Sequence, residues 1–188
     1  MTIAIVAFLS LFFVYAARNS FVMWRFKDRF AKAFLEEFKQ AYPDSASLLT
    51  PDLGPQIAYA LINNKTLAKE INALEMKIAK RPEIGKKSYA YFDSDYSPET
   101  QELIIDLLKN RIELAGKIFD SLPTKVRSQI NRKAESTDKA EAESSDEDSK
   151  NERKKDEERA QRFGLYAWRY DILMNIYDIT RRANLAAS

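Results

Sequence analysis

The side chains most able to do chemistry in this chain lie between residues 77 and 102. Lys77, Lys80, Arg81, Lys86 and Lys87 come first, and Tyr89, Tyr91, Phe92 and Tyr96 follow. Cations interleaved with rings suit a single-stranded nucleic acid, the charges for phosphate and the aromatic faces for bases. They equally suit the headgroups of anionic lipids, and all of these residues except Phe92 and Tyr96 are taken as the candidate lipid or nucleic-acid contacts. The plainer reading is a solvated loop whose rings fold back on the protein.

Asp93, Asp95, Glu99 and Glu102 share the same segment. An EF-hand loop starting at Asp93 needs Gly at its sixth place and Glu at its twelfth, where the chain has Pro98 and Ile104. It is not an EF-hand. A looser divalent-cation site on Asp93 and Asp95 competes with the ordinary use of acids at a helix start, which is capping.

Absences narrow the chemistry further. The chain has no Cys, hence no disulfide, thiolate nucleophile or Cys-ligated metal. It has no His, which removes the commonest general base, the usual transition-metal ligand and the Ser-His-Asp triad. The four glycines, Gly54, Gly85, Gly116 and Gly164, are too scattered for either GxGxxG or GxxxxGK[ST]. No catalytic, cofactor or metal residue is assigned, and a non-enzymatic protein is expected. A net charge of +2 is too small to mark a nucleic-acid binder, while 45% hydrophobic residues suffice for a core.

The elements that must position these residues begin with an apolar run. Ile3 to Ala17 carries no charge and spans roughly 23 Å as a helix; continued to Trp24 it spans roughly 33 Å, enough for a bilayer core of ~30 Å. Arg18 can snorkel, and Tyr15 and Trp24 are residue types of the membrane interface. A buried core helix and a cleaved signal peptide are the competing readings, the latter lacking a basic n-region. Arg18, Arg25, Lys27, Arg29 and Lys32 all follow the run and none precedes it. Basic flanks stay cytoplasmic, so the expected topology is single-pass, N-terminus outside and the bulk of the chain inside.

The helical pattern continues past the apolar run. Val22, Phe26, Phe30, Phe34 and Phe38 recur every four residues to Tyr42-Pro43, a stripe suited to the protein's own core or to a membrane surface. From Pro55 to Arg81 a 3-4 spacing runs through Ile57, Ala60, Asn64, Leu67, Ile71, Leu74 and Ile78. It fits a coiled-coil seam, but Leu61 and Ile62 widen it towards bundle packing. Ser97-Pro98-Glu99 is a helix start, and the aliphatic helix that follows closes at Leu122-Pro123. A shorter basic helix covers Thr124 to Ala134.

From Glu135 to Glu158 eleven acidic residues oppose five basic ones. With no aromatic or large aliphatic side chain up to Ser149, the first part reads as a disordered acidic linker. The last segment is aromatic on more than one face and must dock, on its own bundle or on a partner at the end of the tether. Tyr166, Trp168, Tyr170, Leu173 and Tyr177 are the candidate partner contacts.

The sequence therefore predicts an all-α protein: membrane anchor 1–24, helical bundle 25–134, disordered acidic linker 135–150 and C-terminal docking helix 151–188. The function expected is that of a membrane-anchored interaction or assembly protein, an accessory subunit or scaffold. Its partners are the membrane and another protein or a second copy. Binding of nucleic acid or anionic lipid through residues 77–96 is the alternative, with nucleic acid the less favoured partner.

Overall fold

The computed structural model describes residues 2–50, 52–84, 96–143, 158 and 167–188. Among these the protein is all-helical: α1 (Thr2–Ala41), a 3₁₀ turn (Pro43–Leu48), α2 (Leu53–Asn63), α3 (Lys65–Ala79), α4 (Pro98–Asp120), α5 (Thr124–Glu143) and α6 (Ala167–Ala187).

With no Gly or Pro between Thr2 and Ala41, nothing interrupts α1, and its 40 residues extend for about 60 Å. The two ends of this helix meet different surroundings. Phe30, Phe34 and Phe38 are fully buried, and neighbouring rings from Phe26 to Phe38 sit 6.0 Å apart, with Tyr42 5.0 Å beyond. Each buried Phe is worth about 1.5–3 kcal/mol relative to exposure. The stripe thus packs on the core from Phe30 onward, and the membrane-surface reading of these rings is set aside. At the other end Ile5, Leu9 and Phe12 are 54%, 48% and 58% exposed, so the reading of the apolar run as a buried core helix is also set aside. Ile5–Ala41 is long and apolar enough to cross a membrane.

Around the lower half of α1 the bundle assembles in two directions. α1 packs on α6 and α2, and α4 lies between α3 and α6. α5 touches α6 and the 3₁₀ turn, where Lys133 pairs with Asp44 at 2.9 Å. Ile104, Leu107 and Ile118 of α4 join Ile57, Ile71, Ile78, Val126, Ile176 and Ile179 in one contiguous core.

The spacing over 55–81 predicts one helix, and the structure has two. At Asn64 the backbone leaves helical geometry and the side-chain amide donates to the Ala60 carbonyl at 2.7 Å. Asn competes for backbone partners in this way and weakens a helix locally. The break allows α2 to lie against α1 while α3 turns to α4, so Ile71 and Ile78 are buried within the chain rather than in a coiled-coil seam. The start of α4 follows expectation: Ser97 Oγ accepts from the Thr100 amide at 3.4 Å, with Pro98 in the first turn.

α5 runs to Glu143, into the segment whose composition predicts the disordered linker. Ala, Glu and Lys favour helix without burial, so a helical backbone there is compatible with the lack of core-forming residues. The rest of that linker, 144–150, lies outside the described residues.

α6 docks on its own bundle. Ile172, Leu173, Ile176, Tyr177, Ile179, Thr180 and Ala183 are buried, and Arg182 reaches Glu37 of α1. That buried set comes from more than one face of the helix.

α1 and α2 cross closely at Ala31 and Gly54. A Cβ placed on Gly54 meets the Cβ of Ala31 at 2.6 Å. Gly54→Ala is expected to cost about 1–3 kcal/mol by overpacking. Ala31→Gly alone costs about 1 kcal/mol through helix propensity. Urea unfolding in detergent should show the double variant less destabilised than the sum of the singles; strict additivity removes the crossing as the cause.

Candidate functional site

Three helices bring their polar residues together at one buried point. Glu75 stands on α3, Arg111 on α4 and Tyr177 on α6. The Arg111 guanidinium donates to Glu75 Oε1 at 2.6 Å, and the two side chains are 8% and 16% exposed. The Tyr177 hydroxyl donates to the same carboxylate oxygen at 3.4 Å, and the Arg111 guanidinium lies 5.0 Å from the Tyr177 ring centre. Beside them a cleft of about 240 Å³ is lined by Asn72, Thr180, Arg181 and Asn184 among others.

The electrostatics hold the three side chains together. Burial opposes the Arg111 charge, but the hydrogen bond to Glu75 and nearby negative charge more than offset this and hold its pKa above the ordinary value. Burial also pushes the Tyr177 phenol upward, against the lowering influence of Arg111. Near neutral pH that phenol is protonated and serves as a donor. Glu75 Oε1 thus accepts from both the Arg111 guanidinium and the Tyr177 hydroxyl. The arrangement closes a charge inside the bundle and ties α6 to α3 and α4.

The sequence-derived site residues are distributed differently. Lys77 and Lys80 are exposed, whereas Arg81 pairs with Glu99 at 3.3 Å. Glu83 accepts from the Ser97 amide at 3.0 Å, which holds its carboxyl below the usual range, and Tyr96 is buried. Lys86, Lys87, Tyr89 and Tyr91, with Asp93 and Asp95, lie outside the described residues. Among the described residues, no group of three or more acidic side chains is placed to hold a metal.

Of the candidate partner contacts, Leu173 and Tyr177 are corrected: both are buried in the chain's own core because α6 docks in cis. Tyr170 is half-buried and packs against that core. Tyr166 and the Trp168 side chain lie outside the described residues. The cluster of Glu75, Arg111 and Tyr177 was not visible in the sequence, since its members are 36 and 102 positions apart in the chain.

A second cluster, also missed, sits where α1 leaves the bundle. Lys27 Nζ lies 3.8 Å from the centre of the Tyr59 ring, and the hydrogen bond and charge of Lys27 lower the Tyr59 pKa. Ser20, Trp24, Asp28 and Lys32 line a groove of about 380 Å³ with them. Tyr59 stands on the outer face of α2, a placement that only the α1–α2 crossing makes meaningful.

The fold and these clusters define an all-helical bundle carrying one protruding apolar helix. The chain matches no protein-family model, no curated protein sequence and no solved structure.

Two expectations follow. Arg111→Met leaves the half-buried Glu75 carboxylate without its cation and should lower stability by about 2–3 kcal/mol. Lys117→Met, which breaks an exposed pair with Glu113, should change it by no more than about 1 kcal/mol. Chemical denaturation compares the two, and equal effects contradict the buried role. For Tyr177 the raised folded pKa means its contribution is complete below the unfolded value of about 10 and is lost as pH rises through the folded value. Stability should therefore decline above about pH 10, and Tyr177→Phe should flatten that decline; an unchanged slope rules Tyr177 out.

Proposed function

We propose that this chain is a membrane-anchored, non-enzymatic interaction or assembly protein. One observation carries the reading: α1 buries Phe30, Phe34 and Phe38 in the bundle while Ile5 through Tyr15 stand outside it. Leaving so many large apolar side chains in water is costly, at roughly 25 cal/mol per Å² of apolar surface. A patch of this size on a protein surface marks an interaction with membrane or protein. The exposed residues run all round the helix rather than along one stripe, which favours lipid over a docking helix. Up to Arg25 the helix extends roughly 36 Å from its start, matching a hydrocarbon core of about 30 Å.

The basic flank of Arg18, Arg25, Lys27, Arg29 and Lys32 supports an N-terminus outside and a bundle inside the cytoplasm. The absence of His and Cys supports a role other than catalysis. With Leu173 and Tyr177 used internally, contact with another protein falls to the region of Tyr166 and Trp168 ahead of the buried part of α6.

Alkaline extraction of membranes tests the anchor. The full chain should remain in the bilayer fraction, and a chain beginning at Phe21 should be released. Release of the full chain as a soluble protein overturns the proposal. Because the protein has no Cys, Ser188→Cys provides a unique thiol. In intact cells an impermeant thiol reagent should fail to label it; labelling reverses the orientation.

A further inference from the structure

We propose that the groove between α1 and α2 binds the headgroup of an anionic phospholipid, an inference that rests on α1 being membrane-embedded. The helices touch at Ala31 and Gly54, and from that crossing α2 carries Tyr59 to Lys27. The groove of about 380 Å³ that this leaves falls within the roughly 300–1,000 Å³ usual for small-molecule sites. Near its upper end, one turn below Ser20, stands Trp24, exposed and 6.1 Å from the ring of Phe21 at the lower end of the apolar stretch.

Depth, residue type and charge agree. Trp24 and Tyr59 come from different helices, and both are of the kind that partitions into the headgroup layer. Lys27 lies about 4.5 Å further along the α1 axis than Trp24, within a headgroup layer some 5–7 Å deep on each side of the bilayer. Side chains on a helix lean towards its N-terminus, here towards the membrane. Lys32 does so, reaching back to Asp28 at 2.9 Å. That pair is neutral, so Lys27, half-buried beside the Tyr59 ring, supplies the net positive charge, with the Ser20 hydroxyl on the same face. A phosphate meets an ammonium there while the acyl chains run along the exposed rings of Phe21 and Trp24.

The test uses the full chain with Trp168→Phe, which leaves Trp24 as its single tryptophan. Reconstituted into phosphatidylcholine vesicles, it is exposed to the same minor fraction of brominated phosphatidylglycerol or brominated phosphatidylcholine, and Trp24 quenching is read. Phosphatidylglycerol should quench more strongly. Lys27→Gln should weaken its apparent affinity about fivefold, and Lys27→Gln with Lys32→Gln should abolish the difference. Lys109→Gln with Lys117→Gln, on α4, should preserve it. Equal quenching by both lipids overturns the site and leaves the anchor standing. Quenching by neither overturns the anchor and the site together. Loss of the difference with added inorganic phosphate at constant ionic strength reassigns the groove to free phosphate and overturns the lipid.

Discussion

A single unbroken helix has to satisfy two environments, and the rest of the molecule is arranged around that requirement. α1 has no Gly or Pro to bend it, so its side chains leave the axis in one continuous register from Thr2 to Ala41. Where large apolar groups recur every four residues, the helix offers one face, and the bundle closes over it through α6 and α2. Where they occupy the whole circumference, a bundle cannot enclose them without several more helices. The change occurs between Trp24 and Phe30, just before Ala31, where α2 crosses α1 at Gly54. The stiffness of the helix transmits the position of the bundle to the apolar end without a flexible joint.

The ion pair inside the bundle has a different task. Hydrophobic contacts are indifferent to small rotations of α6, whose buried side chains come from a broad sector of its surface. A carboxylate that must meet both a guanidinium and a phenol is not indifferent. Glu75, Arg111 and Tyr177 satisfy one another only in one register of α3, α4 and α6. Desolvating such charges gains little net stability, and a role in specifying a unique packing is the better-attested use of buried polar groups. Arg182 with Glu37 repeats the constraint at the surface, between α6 and α1.

Local signals were legible where the chemistry was local. Ser97-Pro98-Glu99 announced α4 because a hydroxyl cap and proline act within one turn. The aromatic row of α1 announced a buried face because its spacing equals the helical repeat. The break at Asn64 was missed because a side-chain bond to Ala60 is a choice the packing of α2 and α3 has to favour. Partner contacts at Leu173 and Tyr177 were misplaced for a related reason. An aromatic helix reads the same whether its acceptor is its own bundle or another chain.

By itself, the sequence determined the helical class, the unbroken α1, the excess of lipid-like residues at one end and the absence of His and Cys chemistry. Each of these follows from residue type and spacing within a few turns. Tertiary structure alone decided that α6 docks in cis, that Glu75 meets Arg111 and Tyr177, and that Tyr59 comes to lie over Lys27. Those contacts join residues distant along the chain. No local propensity distinguishes them from alternatives, and only the simultaneous burial of every helix face selects them.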